Sequence, residues 1–284
     1  MHKSPIPLIK FGRTGREVTR VGLGGEGVLR TNGRGEAAEA VIRGALSEGM
    51  TYFDSARVYR DSELYYGRVW KQNPELRANI FQTSKSACRD RAGALRDLDE
   101  TLFRLKTDHL DLWQIHDVRT MEEVREISGM GGALEAFLEA RDQGRVRHIG
   151  VTGHHDPRVL TRAVKEWPVD AVLMPVNPVE ELIGGFMTDT LTAAREKGIA
   201  VIGMKILGAG HYNLPKFDVT AELLIRYALT VGVDVAIVGC STAGEAKELA
   251  DAGRSSPLTG QERRELLRVY EPYTRRLAFY RGTI

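Results

Sequence analysis

Residues 146–177 read VRHIGVTG-HHDPRVLTRAVKEW-PV-DAVLMPVN. The first run, VRHIGVTG (146–153), is Val/Ile-rich and too short for a globular helix, so it reads as a buried strand. DPRVLTRAVKEW (156–167) places apolar residues three and four apart, the spacing of a helix with one buried face. DAVLMPVN (170–177) is then a second buried strand. Strand, helix, strand is the repeating unit of a parallel sheet with helical crossovers.

Worked outward, the unit repeats. Further strands fall at VTRVGLGG (18–25), MTYFDS (50–55), NIFQTSK (79–85), HLDLWQIH (109–116), IAVIGMK (199–205) and DVAIVGCS (234–241). Helical periodicity fills the intervals at EAAEAVIRGALSEG (36–49), SELYYGRVW (62–70), RAGALRDLDETLFRL (91–105), GGALEAFLEARDQG (131–144), TDTLTAAREKG (188–198) and TAELLIRYALTVG (220–232). Several of these segments end in Gly, the residue that closes a helix in the left-handed conformation. Eight strands at intervals of roughly 30 residues, in a chain of 284, predict a (β/α)8 TIM barrel, whose usual length is about 250 residues. LIKFGRTGREVTRV (8–21) predicts an N-terminal β-hairpin capping the barrel's bottom. A doubly wound sheet is the alternative, but the glycine-rich GLGGEGV (22–28) leads into RTNGRG (30–35) and not into a helix. No linker or composition shift divides the chain, so residues 1–284 are expected to form a single domain. DVRTMEEVREISGMG (117–131) and GAGHYNLPKF (208–217) read as irregular loops on the face that carries chemistry in such barrels.

Composition narrows the function. Forty basic against 38 acidic residues leave a net charge of +2, which gives no concentrated basic charge for nucleic acid. No apolar run approaches the ~20 residues of a membrane helix, so no membrane partner is expected. Two cysteines, Cys88 and Cys240, cannot build a disulfide framework or a cysteine-rich metal site, and a reducing cytoplasmic location is expected. His154 and His155 are adjacent without the ligand spacing of a metal motif, so no metal site is expected. No feature bears on oligomeric state.

Polar residues gather where the strands end. Asp54, Lys85 and His116 close three successive strands, and Tyr59 lies in the loop after Asp54. Each alone has a bland explanation as a turn, surface or packing residue, but in a barrel all four converge on one mouth. The chemistry that uses such a set is carbonyl reduction. A phenol has an ordinary pKa near 10, and a nearby ammonium lowers it by favouring the phenolate. A carboxylate keeps the buried ammonium charged. A histidine can hydrogen-bond the substrate oxygen. The hydride must then come from a cofactor, and nicotinamide is the simplest source.

FDSARVYRDSELYYG (53–67), TSK (83–85), LDLWQIH (110–116) and LEAFLEARDQGRVRHIGVT (134–152) together resemble the aldo-keto reductase family across essentially the whole chain. The resemblance implies a catalytic tetrad of Asp54, Tyr59, Lys85 and His116, with Tyr59 the general acid. It implies a small carbonyl or sugar substrate and NADP(H) or NAD(H) as cofactor. The implied cofactor-binding residues are Gly25, Thr152, Asn177, Met204, Lys205, Ile206, Leu207, Gly208, Gly239, Cys240, Ser241 and Glu248. Gly-Val-Thr-Gly-His (150–154) resembles a bacterial branch of the family, here without the cysteine-rich iron–sulfur tail that some of its members carry, and His154 is expected to line the substrate or cofactor site. Glu245 stands where NADP-preferring relatives carry a basic residue, which implies weakened NADP selectivity. Some proteins of this fold are nicotinamide-binding regulatory subunits, a second reading against which the intact tetrad argues. A metal-dependent barrel hydrolase is a third.

Overall fold

The computed structural model describes residues 4–282. Two short antiparallel strands come first, β1 (Leu8–Lys10) and β2 (Glu17–Thr19). Eight parallel strands follow: β3 (Val21–Gly27), β4 (Tyr52–Phe53), β5 (Phe81–Ser86), β6 (Leu110–Ile115), β7 (Val146–Thr152), β8 (Ala171–Pro175), β9 (Ala200–Met204) and β10 (Val235–Cys240). They close into a barrel in chain order, with β10 pairing back onto β3. The predicted strands all appear, two shifted at their ends. Val18 and Thr19 belong to the hairpin, and β4 is only two residues long because the chain leaves the sheet at Asp54.

Alternation along each strand sends one set of side chains inward and one outward. Inward lie Tyr52, Phe81, Leu112, Ala171, Leu173, Ala200, Ile202, Val235 and Ile237, drawn mostly from the strands' starts. Phe11, between the hairpin strands, joins them fully buried, its ring centroid 4.9 Å from Phe81 and 5.9 Å from Tyr52. The hairpin therefore plugs the N-terminal end of the barrel. The opposite end is left open, and there the inward positions turn polar.

The outward residues pack against helices α1 (Gly35–Ser47), α2 (Ser62–Gln72), α3 (Arg91–Leu105), α4 (Met121–Ser128), α5 (Ala133–Asp142), α6 (Pro157–Glu166), α7 (Pro178–Ile183), α8 (Leu191–Lys197), α9 (Ala221–Thr230), α10 (Ala243–Arg254) and α11 (Gly260–Tyr270). Four of them end as their sequences indicate: Gly49, Gly144, Gly198 and Gly232 have φ between +68° and +92°. After α3 the same left-handed turn is made by Lys106, with φ +54° and no glycine to announce it.

One expectation is corrected. Residues 117–131 are not an irregular loop, because α4 runs through them. Thr120 caps its N-terminus by accepting from the Glu123 N–H, and Val124 and Ile127, three apart, are buried where α4 packs on α5 and α6. The segment 208–217 is irregular as expected, with two short 3-10 turns. Among the described residues no helix is long and apolar enough to cross a membrane.

Candidate active site

The open end of the barrel holds a cleft of about 1370 Å³. At its floor lies a buried ion pair. On β5 the inward side chains are Phe81, Thr83 and Lys85, two residues apart. Lys85 Nζ lies 2.5 Å from Asp54 Oδ2 and also donates to the Ser55 carbonyl at 2.7 Å. The second Asp54 oxygen accepts from the Thr83 hydroxyl at 2.7 Å. Asp54 is 1 % exposed and Lys85 is fully buried. A pair so completely desolvated survives only because nearly every lone pair and proton has a partner. Burial still pulls the Lys85 ammonium below its ordinary pKa, with Asp54 opposing.

Tyr59 covers this pair. Its backbone N–H donates to Ala56, which folds the loop back over the mouth. The ring centroid is 5.0 Å from Lys85 Nζ and 5.6 Å from the edge-on His116 ring. Arg30 covers the ring at 4.8 Å, a contact that nothing in the RTNGRG segment signals. Gly25 permits the close approach: a Cβ there would stand 2.6 Å from Tyr59 Cδ2.

The expected lowering of the Tyr59 pKa does not occur in this arrangement. Burial raises it, and the Asp54 and Glu26 carboxylates add to the rise. Seen from Tyr59, the Lys85 charge is largely cancelled by the carboxylate 2.5 Å from it. The phenol is thus held protonated at neutral pH.

Burial, reinforced by the Lys85 charge, lowers the His116 pKa to about 3. The imidazole stays neutral, and its buried Nδ1 has no hydrogen-bond partner. That depression has a consequence for stability. In the unfolded chain His116 takes up a proton below about pH 6.5, whereas in the folded chain it does not. The unfolded state then binds more protons, so stability falls as pH falls from 6.5 towards 3. Over the first 1.5 pH units the loss approaches about 2 kcal/mol. Urea unfolding across pH 5–7 should show a shallower acid slope for His116→Gln than for the unsubstituted chain; equal slopes would contradict the neutral, buried imidazole.

Gly25, Thr152, Met204, Lys205, Ile206, Leu207, Gly208, Gly239, Cys240, Ser241 and Glu248 all line the cleft, as does His154. Asn177 does not. It is fully buried, its Oδ1 caps α7 by accepting from the Glu180 N–H, and its Nδ2 donates to the Lys205 carbonyl and the Tyr280 hydroxyl. Its side chain shapes the turn at Lys205 from below. Tyr280 in turn donates to Glu180, and Arg281 pairs with the same carboxylate, so the C-terminal segment braces this wall. No periodicity or spacing in residues 266–284 points to that role.

The wall at 205–210 is built from unusual backbone. Lys205 and Ala209 have φ of +56° and +54°, and right-handed Leu207 precedes left-handed Gly208. A right-handed residue followed by a left-handed one turns neighbouring N–H groups to one side, a concavity suited to an anion, with the Gly208 and Gly210 N–H groups themselves bonded to the Lys205 and Leu207 carbonyls. At the far end the chain leaves β10 through Ser241 into α10. Cys240 contributes no thiolate there, because burial and the neighbouring Glu245 and Glu248 push its thiol up to about 12. At the near end Asp117, with φ +55°, places Oδ1 3.2 Å from His154 Nε2.

The model of the Aldo/keto reductase family matches residues 20–214. A probable aldo-keto reductase from Glycine max is 28 % identical over 231 residues, covering 75 % of this chain and 63 % of its own length. The chain spans only 56–63 % of the length of the first curated relatives it matches. Among solved structures, the holo form of an aldo-keto reductase from Bacillus halodurans superposes with a TM-score of 0.77 at 20 % identity, over 93 % of this chain and 96 % of that one. An aldo-keto reductase from Klebsiella pneumoniae in complex with NADPH gives 0.76 at 21 % identity, over 93 % and 95 %. At such identities these two likenesses speak to the fold.

Proposed function

Because the chain belongs to the aldo/keto reductase family, we infer that it reduces an aldehyde or ketone to the alcohol with a nicotinamide dinucleotide, or runs the reverse oxidation on a small alcohol or sugar. The observation that carries this reading is the buried Asp54–Lys85 pair beneath Tyr59 and a neutral His116. The residues also fit the cofactor. The cleft runs from Thr152 to Glu248, its middle wall is the anion-suited 205–210 backbone, and the His116 Nδ1 atom is buried without a partner. The Klebsiella pneumoniae relative holds NADPH. Thr152 and Met204 would hold the nicotinamide end, Lys205–Gly208 the pyrophosphate, and Gly239–Ser241 with Glu248 the adenosine end.

When bound, the cofactor supplies the hydride. His116 orients the substrate oxygen by a hydrogen bond from a neutral ring. Tyr59, kept protonated by its burial, donates its proton to that oxygen as negative charge develops there. The phenolate that remains is stabilised by the Arg30 guanidinium over its ring and by what Asp54, which holds Lys85 in place, leaves uncancelled of the ammonium's charge. Absorbance of the reduced cofactor, followed over a panel of aldehydes, ketones and sugars, tests the reading; no turnover on any of them would remove it.

NADH is favoured over NADPH. The Ser241 N–H donates to Glu245 Oε2 at 2.7 Å, and the Glu245 N–H donates to Thr242 Oγ1 at 3.1 Å. The N-terminus of α10, otherwise a good anion site, already carries a carboxylate. A phosphate dianion beside it meets repulsion where an arginine would give a charge-assisted pair. Glu245→Arg should raise the NADPH/NADH ratio of kcat/KM by at least about tenfold, or about 1.4 kcal/mol. A strong NADPH preference in the unsubstituted chain would refute the argument.

A further inference from the structure

We propose that Asp117, His154 and His155 form a binding site for one zinc-class divalent ion at the edge of the cleft, independent of the nicotinamide chemistry. Adjacent histidines alone say little, and the carboxylate next to them in sequence, Asp156, is taken up by capping α6 and pairing with Arg158. The barrel supplies another. Asp117 follows β6 and the histidines follow β7, and these strands are neighbours, so the three side chains meet. One ligand atom from each lies within 4.8 Å of the other two.

The detailed geometry is that of ligands sharing a third atom. His154 Nε2 is 3.2 Å from Asp117 Oδ1, and two ligands about 2.1 Å from a tetrahedral ion lie about 3.4 Å apart. Despite the short distance, Oδ1 is buried and accepts no hydrogen bond, so the ring nitrogen is not directed along the line between them. His154 Nδ1 faces the Tyr280 carbonyl at 3.3 Å. A carbonyl can only accept, so the proton of the neutral ring belongs on Nδ1 and Nε2 presents a lone pair. An imidazole whose other nitrogen donates to a backbone carbonyl is the usual second shell of a metal-ligating histidine. The carboxylate is held in the same way: its other oxygen, Oδ2, accepts from Arg119 at 2.8 and 2.6 Å.

Two imidazoles and one carboxylate suit zinc and neighbouring transition ions better than magnesium or calcium, which prefer all-oxygen shells. Three protein ligands leave a tetrahedral position vacant. His154 and Asp117 both line the cleft, so that position faces it and takes an oxygen donor, either water or a small ligand's hydroxyl or carboxylate. The bare pair explanation, a His154–Asp117 contact with no ion, gives His155 only a ring stacked on His154 and a carbonyl bonded to the Gly282 N–H, and predicts no saturable binding.

Untagged full-length protein, stripped with a chelator, should be titrated with Zn2+ and with Co2+ by calorimetry and visible absorbance. One Zn2+ per chain should bind, Mg2+ should not compete, and Co2+ should give the intense bands of a tetrahedral site. His155→Ala and Asp117→Asn should each weaken binding by at least about tenfold. Asparagine tolerates the positive φ at position 117, so that variant tests the ligand and not the loop. Absence of saturable binding at one equivalent, an octahedral cobalt spectrum, or variants that bind as tightly as the unsubstituted chain would each overturn the site.

Discussion

Tyr59→Phe is expected to lower kcat/KM for carbonyl reduction by about 10²–10⁴-fold while leaving nicotinamide affinity nearly unchanged. The substitution deletes one oxygen and keeps the ring that packs edge-on against His116, beside Lys85 and Gly25. Folding and the shape of the cleft are therefore preserved, and what is lost is the proton donor. Because burial holds the Tyr59 pKa above its ordinary value, the unsubstituted chain should keep this phenol protonated well into alkaline pH. Stopped-flow measurement of the reduction step, paired with fluorescence titration of NADH, separates chemistry from binding. A variant with unchanged turnover would show that another group supplies the proton.

Lys85→Met should produce the second large effect, in stability as well as rate. Asp54 would be left a buried carboxylate with Thr83 as its remaining side-chain partner, and breaking a buried pair from one side costs about 3–5 kcal/mol. The sign of its pH dependence is fixed by that carboxylate. Without the ammonium, burial disfavours the ionised carboxylate in the folded chain relative to the unfolded one. The deficit is then smallest in acid well below pH 4, where the carboxylate is protonated in both states, and grows as pH rises from there. Adding Asp54→Asn to Lys85→Met removes the stranded charge and should recover much of the loss. Urea unfolding of both variants at pH 4 and 7 checks this. A single variant as stable at pH 7 as the parent would mean that the pair is not desolvated.

The Asp54–Lys85 pair also shows how far sequence reasoning reaches. Period-two alternation places Phe81, Thr83 and Lys85 on one face of β5, and strand ends in such a barrel share one mouth, so the gathering of polar residues there was legible from spacing, while their roles came from the resemblance. The sign of the Tyr59 shift was not. It depends on how completely Asp54 cancels Lys85 and on how much water the ring loses, and both are distances between elements. Helix α4 was hidden for a different reason: its eight residues give too few turns for periodicity to stand out from the irregular segments on either side.

What the sequence determined by itself was the repeat, the barrel, the plugging hairpin and the set of polar strand ends, because each follows from patterns a few residues long. The tertiary structure alone decided that Asn177 braces Lys205 from within the wall, that Tyr280 and Arg281 return to Glu180, and that Asp117 stands beside His154. These contacts join residues 28 to 101 positions apart. Such pairings carry no local signal, since they arise only when closing the barrel brings distant strand ends to one rim.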